Sequence, residues 1–409
     1  MAGGRQDHLV LFPLNPFSPI LSDLAYWKAK IQLKDGPTLL PLLIAMTDGM
    51  ESSDPRDKIY ALLGLCPRCD TSMIIPDYSK SVAEVFARVA AHSISEWANL
   101  VPLQAYYGSK RAAHNLPSWV PDYSDQYSHP QRYHSLVFPQ HLNFSAGIKK
   151  CDGEQTTMAY ALSSNANEIV LSGVYLDTVG FSSQSPVHTK YEGLDSTMRL
   201  QNSKDRTHKI QQAVKLWEMQ AVKTADASQL FVSRKGPFPG STNYQKQSKI
   251  ETISEAFWRT LMAGRMSYHE GHEIPPSAIY QEYFEVWMGR APVPEEFKLL
   301  NTNLCPDAIK ELFTKPLTDA IIPKCHGRSF ILTRRGTMGL APARTIVGDV
   351  VAVLEGGNVP FILRHLEERK VENVPEYYSL VGESYIHGIM DGEVMCAAKD
   401  EEHRLFILR

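Results

Sequence analysis

The sequence predicts an α+β protein: a helical N-terminal domain, then a small antiparallel β-barrel carrying a large helical insertion. Three observations lead there. Apolar residues recur at helical spacing through most of the first 115 positions. Beyond Arg328, short β-rich segments alternate with Gly, Asp or Pro turns at fairly even intervals. Between the two, the run Glu168–Val179 has strand character but stands among helical stretches. One strand leaves its own backbone groups without partners, so this run is expected to pair with the late strands. The helices between then become an insertion. The expected division is a tail over 1–20, a helical domain over 21–115, and an irregular clamp and linker over 116–160. The barrel takes 161–185 and 325–409, and the insertion 186–324.

Within the first domain, Leu24, Trp27 and Ile31 mark one helix and Pro37–Met46 a second. Ser53–Leu65 is a third with its own punctuation. Asp54 suits the N-cap, Pro55 the first helical position, and Asp57 the positive end of the helix dipole. Ile59, Leu62 and Leu63 form its apolar stripe, and Gly64 can close it. Ser79 and Ser81 offer caps for a fourth helix reaching about Trp97. Leu116–Tyr123 is extended by necessity, because two prolines disfavour helix before them and Trp119 between them needs burial. It reads as a clamp across the helices. Helices are expected over Asp195–Val222, Lys249–Ala263 and Ser277–Met288, with another opening at Pro306 or Asp307. Strands are expected at 329–333, 350–354, 361–364, 377–381 and 384–387, and Gly336–Leu340 is read as a hairpin turn.

The chain has 409 residues, 43% of them hydrophobic, enough for two or three cores. A net charge of −3 with both signs mixed gives no global pull toward nucleic acid or an anionic membrane. No apolar run reaches the length of a membrane span, and Pro13 cuts Leu9–Phe12 too short for a signal-peptide core. The expectation is an intracellular, cytoplasmic protein. Six cysteines do not make a disulfide framework at this size, and Cys66 and Cys69 read as unpaired loop thiols. No metal site is expected: His269 and His272 are three apart with glycine between, whereas a zinc-protease helix needs four. No cofactor is expected, since no phosphate loop or dinucleotide fingerprint is present. The charged runs 367–370 and 399–404 read as solvated turns.

Several phrases together resemble the fungal heterokaryon-incompatibility (HET) family. They are Ser53–Leu65, Pro76–Val82, Leu116–Ser124, Ala256–Leu261, Gly348–Val350, Pro360–Arg364 and Val381–Glu393, in the family's order. The family's Leu-Ser-Tyr-x-Trp-Gly strand and Asp-x-x-Cys-Ile-x-Gln segment have no counterpart here. The chain is similar to the region that follows the HET domain, with the HET domain itself absent. That domain is the portion to which the family's cell-death response is ascribed, and it is proposed to be related to TIR-type signalling domains. The resemblance therefore implies kinship in self/non-self recognition without the death-inducing activity, and it transfers no catalytic residue.

Two functions stay open. One is an interaction or regulatory module binding a protein partner. The other is a cofactor-independent enzyme (cyclase, isomerase or dehydratase) of fungal secondary metabolism, holding a small apolar ligand. For the enzyme, period-two alternation puts Val381, Glu383, Tyr385 and His387 on one strand face, with Glu383, Tyr385 and His387 as acid, hydrogen-bond donor and base. The structural alternative makes Glu383 a partly buried carboxylate bonded to a backbone amide, with His387 at the rim. Arg364 is read either as the cross-strand partner of Glu383 or as an anion-binding group. Trp119 and Asp122 of the clamp complete the candidate binding residues. A discriminator is whether one cavity touches two or more of the polar trio.

Overall fold

A computed structural model describes residues 40, 44, 52–64, 74–104, 111–124, 144–148, 160–163, 166–183, 196–228, 252–267, 273–274, 277, 279–366, 376–399 and 402–409. The expected helix over Leu21–Ile31, the Cys66–Cys69 loop and the His269–His272 segment lie outside them.

The chain is α+β. In order come α1 (Asp57–Leu63), α2 (Val82–Trp97), α3 (Arg111–His114), β1 (Tyr160–Leu162), β2 (Ile169–Ser182), α4 (Ser196–Ser228) and α5 (Ile253–Leu261). Then follow β3 (Met266–Ser267), β4 (Glu273–Ile274), α6 (Ile279–Met288), α7 (Glu295–Leu300) and α8 (Pro306–Cys325). The late strands are β5 (Arg328–Thr333), β6 (Met338–Pro342), β7 (Val350–Leu354), β8 (Phe361–His365), β9 (Tyr377–Glu383), β10 (Tyr385–Ile386) and, after α9 (Glu393–Ala397), β11 (His403–Leu408).

Local chemistry explains the helix starts. Ser81 caps α2 by accepting the Glu84 N–H, and Thr252 does the same for α5 with Glu255. Asp54 accepts the Arg56 N–H at 2.9 Å, as a capping carboxylate should, but regular α-helix begins only at Asp57. The intervening turn closes through i→i+3 bonds such as Asp57 N to Asp54 O.

β2 finds the late partners that its isolation demanded. Along one edge it pairs with β11 (Ile169–Val174) and then β5 (Val179–Ser182); along the other it pairs with β1 and then β7 (Gly173–Thr178). From β7 the pairing runs through β8, β9 and β11 and returns to β2, a ring of five strands, while β6 and β10 extend from β5. The strands were expected to be all antiparallel, but β11 pairs parallel to β9. Parallel neighbours need a crossover, and the segment containing α9 supplies it. Two segments read as turns are strands: Met338–Leu340 lies in β6, and His403 and Arg404 open β11. Cys396 is disulfide-bonded, its partner lying outside the described residues; Cys305 and Cys325 are free thiols.

The main cores meet on the sheet. Ile59, Phe86, Val89 and Trp119 from the N-terminal helices and clamp pack with Leu171, Leu354, Phe361, Phe406 and Leu408. This core crosses the boundaries drawn at 115 and 160. α4, α5, α6 and α8 pack Trp217, Phe257, Phe284 and Leu317 onto Phe330, Leu340 and Tyr385. A third core holds Val174, Ile331, Val351, Val353, Ile362 and Val381. β7 is buried on both faces, Val350 and Leu354 toward the first core and Val351 and Val353 toward the third. That is why it reads as an unbroken apolar run.

Candidate functional site

Val381 and Tyr385, expected on one strand face, pack in different cores. In the β8–β9 ladder Ile362 pairs with Gly382 but Leu363 pairs with Leu380, so Val381 is an extra residue in a bulge. Regular strand then stops at Ser384, whose N–H is held by the Pro360 carbonyl at 2.8 Å. Parity is lost as a result. Val381 packs in the third core beside Ile386, while Tyr385 packs with Phe144 and Leu340 in the helical one.

Glu383 is buried and bound to Arg328, with Nη2 donating to Oε1 at 2.5 Å and Nη1 donating to the Glu383 carbonyl at 3.1 Å. The Tyr385 hydroxyl lies 3.1 Å from His387 Nδ1, under Gly264. An acid neutralised by a guanidinium and a base engaged by its neighbour form two structural pairs. The two cavities described below are lined by none of the three.

Arg364 makes a cross-strand ion pair with Asp349, not with Glu383. Asp349 stands opposite it in the β7–β8 register, at 2.9 and 3.0 Å. The Asp349 carboxylate holds the Arg364 guanidinium above its usual pKa. Glu383 lies on β8's other neighbour, β9, opposite Phe361 rather than Arg364, and is claimed by Arg328. Trp119 is fully buried and donates from Nε1 to the Asn167 carbonyl at 3.2 Å. Asp122 is buried too; its Oδ1 accepts from Ser124 N and Oγ, closing a turn.

A cleft of about 640 Å³ opens where the clamp crosses the sheet, lined by Asn115, Ser118, Glu168, Arg344, Ser379 and Arg409 among others. Ser118 stitches the seam: its N–H donates to the Arg409 carbonyl at 3.0 Å, and its Oγ accepts the Leu380 N–H at 2.8 Å. Arg409 follows β11 and Glu168 precedes β2, so the register sets them opposite one another, and they bond at 2.6 and 3.0 Å. The Arg409 guanidinium also lies 4.0 Å over the Tyr377 ring. Arg344 donates to the Val381 carbonyl at 2.6 and 3.1 Å. Asn115, at the rim, holds φ +50°, a left-handed conformation that asparagine tolerates.

Two expected binding residues stand one hydrogen bond behind this cleft. Arg364 donates to the Arg344 carbonyl at 2.8 Å, and Trp119 holds the carbonyl of Asn167, itself a lining residue. Sequence reasoning missed Glu168, Arg344, Ser379 and Arg409. The Glu168–Arg409 pair follows from the register once β11 is recognised as a strand. Among the described residues no group of three His, Cys, Asp or Glu side chains is arranged to hold a metal ion, and no helix is long and apolar enough to cross a membrane.

The fold is thus an α+β protein whose N-terminal clamp is sewn onto a β-unit interrupted by helices, with a polar cleft at the seam. Residues 304–408 match the family model described as the Het-6 beta-barrel domain. Over 415 residues the chain is 24% identical to heterokaryon incompatibility protein 6, OR allele, of Neurospora crassa, an alignment covering 90% of this chain and 53% of that protein. The chain is thus similar to a heterokaryon-incompatibility protein and to the Het-6 beta-barrel domain, and spans about half the length of the curated relative it matches. No solved structure matches it.

Proposed function

We propose that this chain acts as an interaction or regulatory module of fungal self/non-self recognition, and that the seam cleft is its recognition surface. The kinship with a heterokaryon-incompatibility protein supports the setting. The observation that carries the rest is the cleft itself: open, polar, and built from five stretches apart in sequence, namely the clamp, the residues entering β2, Arg344 after β6, Ser379 and Leu380 of β9, and Arg409 after β11. In this reading the ring of five strands is a small barrel, the N-terminal helices and the 186–324 helices flank it, and the clamp fixes the cleft's shape. The acid/base reading of Glu383, Tyr385 and His387 draws no comparable support, because Glu383 is held by Arg328 and Tyr385 and His387 hold each other.

The test is a forced heterokaryon between fungal strains expressing and lacking the chain, scored by radial growth. Expression should change growth, and Ser379→Trp, which fills the cleft from a half-buried strand position lining it, should abolish the change while leaving the melting transition intact. Identical growth with and without the chain would overturn the proposal, as would a full effect from the filled-cleft variant.

A further inference from the structure

Among the described residues, twelve arginine side chains are placed, and nine have partners. Arg56, Arg88, Arg259, Arg265, Arg290, Arg328, Arg364 and Arg409 pair with carboxylates, and Arg344 with backbone carbonyls. The three whose guanidiniums meet no carboxylate are Arg334, Arg335 and Arg404, and they do not scatter. Arg334 and Arg335 form the tip between β5 and β6. Arg404 stands at the start of β11, its guanidinium 4.7 Å over the Tyr175 ring.

The sheet brings these ends together for a topological reason. β11 leaves β2 at Val174, opposite His403, and β5 joins the same edge only at Val179, opposite Thr333. Between them β2 has no strand on that edge, and its pairing with β7 shifts register between Tyr175 and Asp177. The Arg334 N–H closes the far side of the gap by donating to the Thr178 carbonyl at 2.9 Å. A cavity of about 600 Å³ fills the gap, lined by Tyr175, Arg335, Glu402, His403 and Arg404 with two neighbours on β2.

The acids around the gap among the described residues are committed to other donors. Asp177 accepts the Thr178 and Arg335 backbone N–H groups at 2.8 and 2.9 Å. Glu355 accepts from Ser172 Oγ and bonds His403 Nδ1, both at 2.8 Å. Glu402, the one acid lining the cavity among the described residues, accepts the Lys399 N–H at 2.8 Å in its own turn.

We infer that this gap is a binding site for a small oxyanion-bearing ligand, phosphate or carboxylate in class, held by the guanidinium forks of Arg335 and Arg404. Arginine suits the task because its planar donors match oxyanion geometry in bidentate fashion. Tyr175 offers an apolar wall beside the charge. The site is separate from the seam cleft and independent of the function proposed for it.

The test is isothermal titration of the full chain with inorganic pyrophosphate, and in parallel with phosphatidic-acid vesicles. Saturable pyrophosphate binding is expected, weakened tenfold or more by R335Q/R404Q and unchanged by R88Q on the distant helix α2. E402Q, which removes the lining negative charge and keeps the capping acceptor, should tighten binding, a gain that misfolding cannot imitate. Absence of saturable binding at millimolar pyrophosphate, equal affinity in R335Q/R404Q, or binding to vesicles alone would each overturn the inference.

Discussion

Replacing Arg328 by methionine removes the cation from the most buried ion pair among the described residues. The side chains of Arg328 and Glu383 are 9% and 7% exposed, and their closest approach is 2.5 Å. The substitution takes the guanidinium from a buried carboxylate and one donor from the Glu383 carbonyl. Breaking a buried pair from one side costs roughly 3–5 kcal/mol, most of it the desolvation of the charge left behind. Replacing both members by apolar residues of similar volume is often neutral or better. R328M alone should therefore lose about 3 kcal/mol, and R328M/E383L should recover at least half of it. The assay is urea unfolding of the four proteins in the cycle, read as midpoint at constant slope. Additive single and double effects, or a loss below ~1 kcal/mol for R328M, would refute the reasoning that Arg328 and Glu383 form one coupled structural pair.

Other outcomes follow from single contacts. Ser118→Ala strips the Leu380 N–H of its acceptor at a buried position; an unsatisfied donor costs roughly 1–3 kcal/mol, and faster amide exchange at Leu380 should report it locally. Gly264→Ala combines a φ of +63° with a Cβ placed 2.6 Å from the Tyr385 hydroxyl; a loss of about 2–3 kcal/mol is expected, partly relieved in G264A/Y385F. A full loss that Y385F leaves untouched would show that the clash is not the cause. Asp54 responds to pH. Hydrogen bonding from the Arg56 side chain holds its pKa below the ordinary 3.8, so the native state binds that proton more weakly than the unfolded chain. Its stabilisation is whole above the ordinary value and lost as the pH falls through the native one. Amides of α1 should open in that acid window, and Asp54→Asn should remove the pH dependence.

What was legible in the sequence was whatever depended on nearest neighbours or on pattern. Ser81 announced α2 because a serine three residues before a glutamate is a capping arrangement complete in itself. β7 announced itself as an apolar run, and the isolation of β2 was enough to demand late partners. What failed depended on contacts between distant residues. Period-two counting across Val381–His387 was sound only for an unbroken strand, and the bulge at Val381 is a property of the pairing with β8. β11 was hidden because its first residues are charged. His403 and Arg404 face a gap in the sheet rather than a core, so the strand starts without the apolar alternation that marks the others. Missing β11 also hid Arg409, and with it one wall of the cleft. Arg364 was matched across the wrong ladder, to Glu383 on β9 instead of Asp349 beside β7, since opposition is fixed only when the ladders are known.

Both cavities belong to β2, one at its beginning and one where its partners change, and this makes a joint prediction possible. Gly173 sits where β11 and β7 flank the strand on opposite edges. A Cβ there would lie 2.5 Å from the Val353 carbonyl oxygen and 2.9 Å from Leu354 Cα. Those are backbone atoms of a strand buried on both faces, and they cannot yield as a flexible side chain would. Gly173→Ala should therefore push β2 and β7 apart, at about 3 kcal/mol, the upper part of the usual range for overpacking. The strain reaches the gap through the register shift at Tyr175 and the seam through the β11 pairing. Amide exchange should rise together at Arg334 and at Leu380, while Phe257 and Leu261 in α5, which pack in a different core, keep their protection. Wild-type exchange at either site in a destabilised G173A protein would mean that β2 does not couple the two ends, and that the cleft and the arginine gap are held by separate parts of the fold.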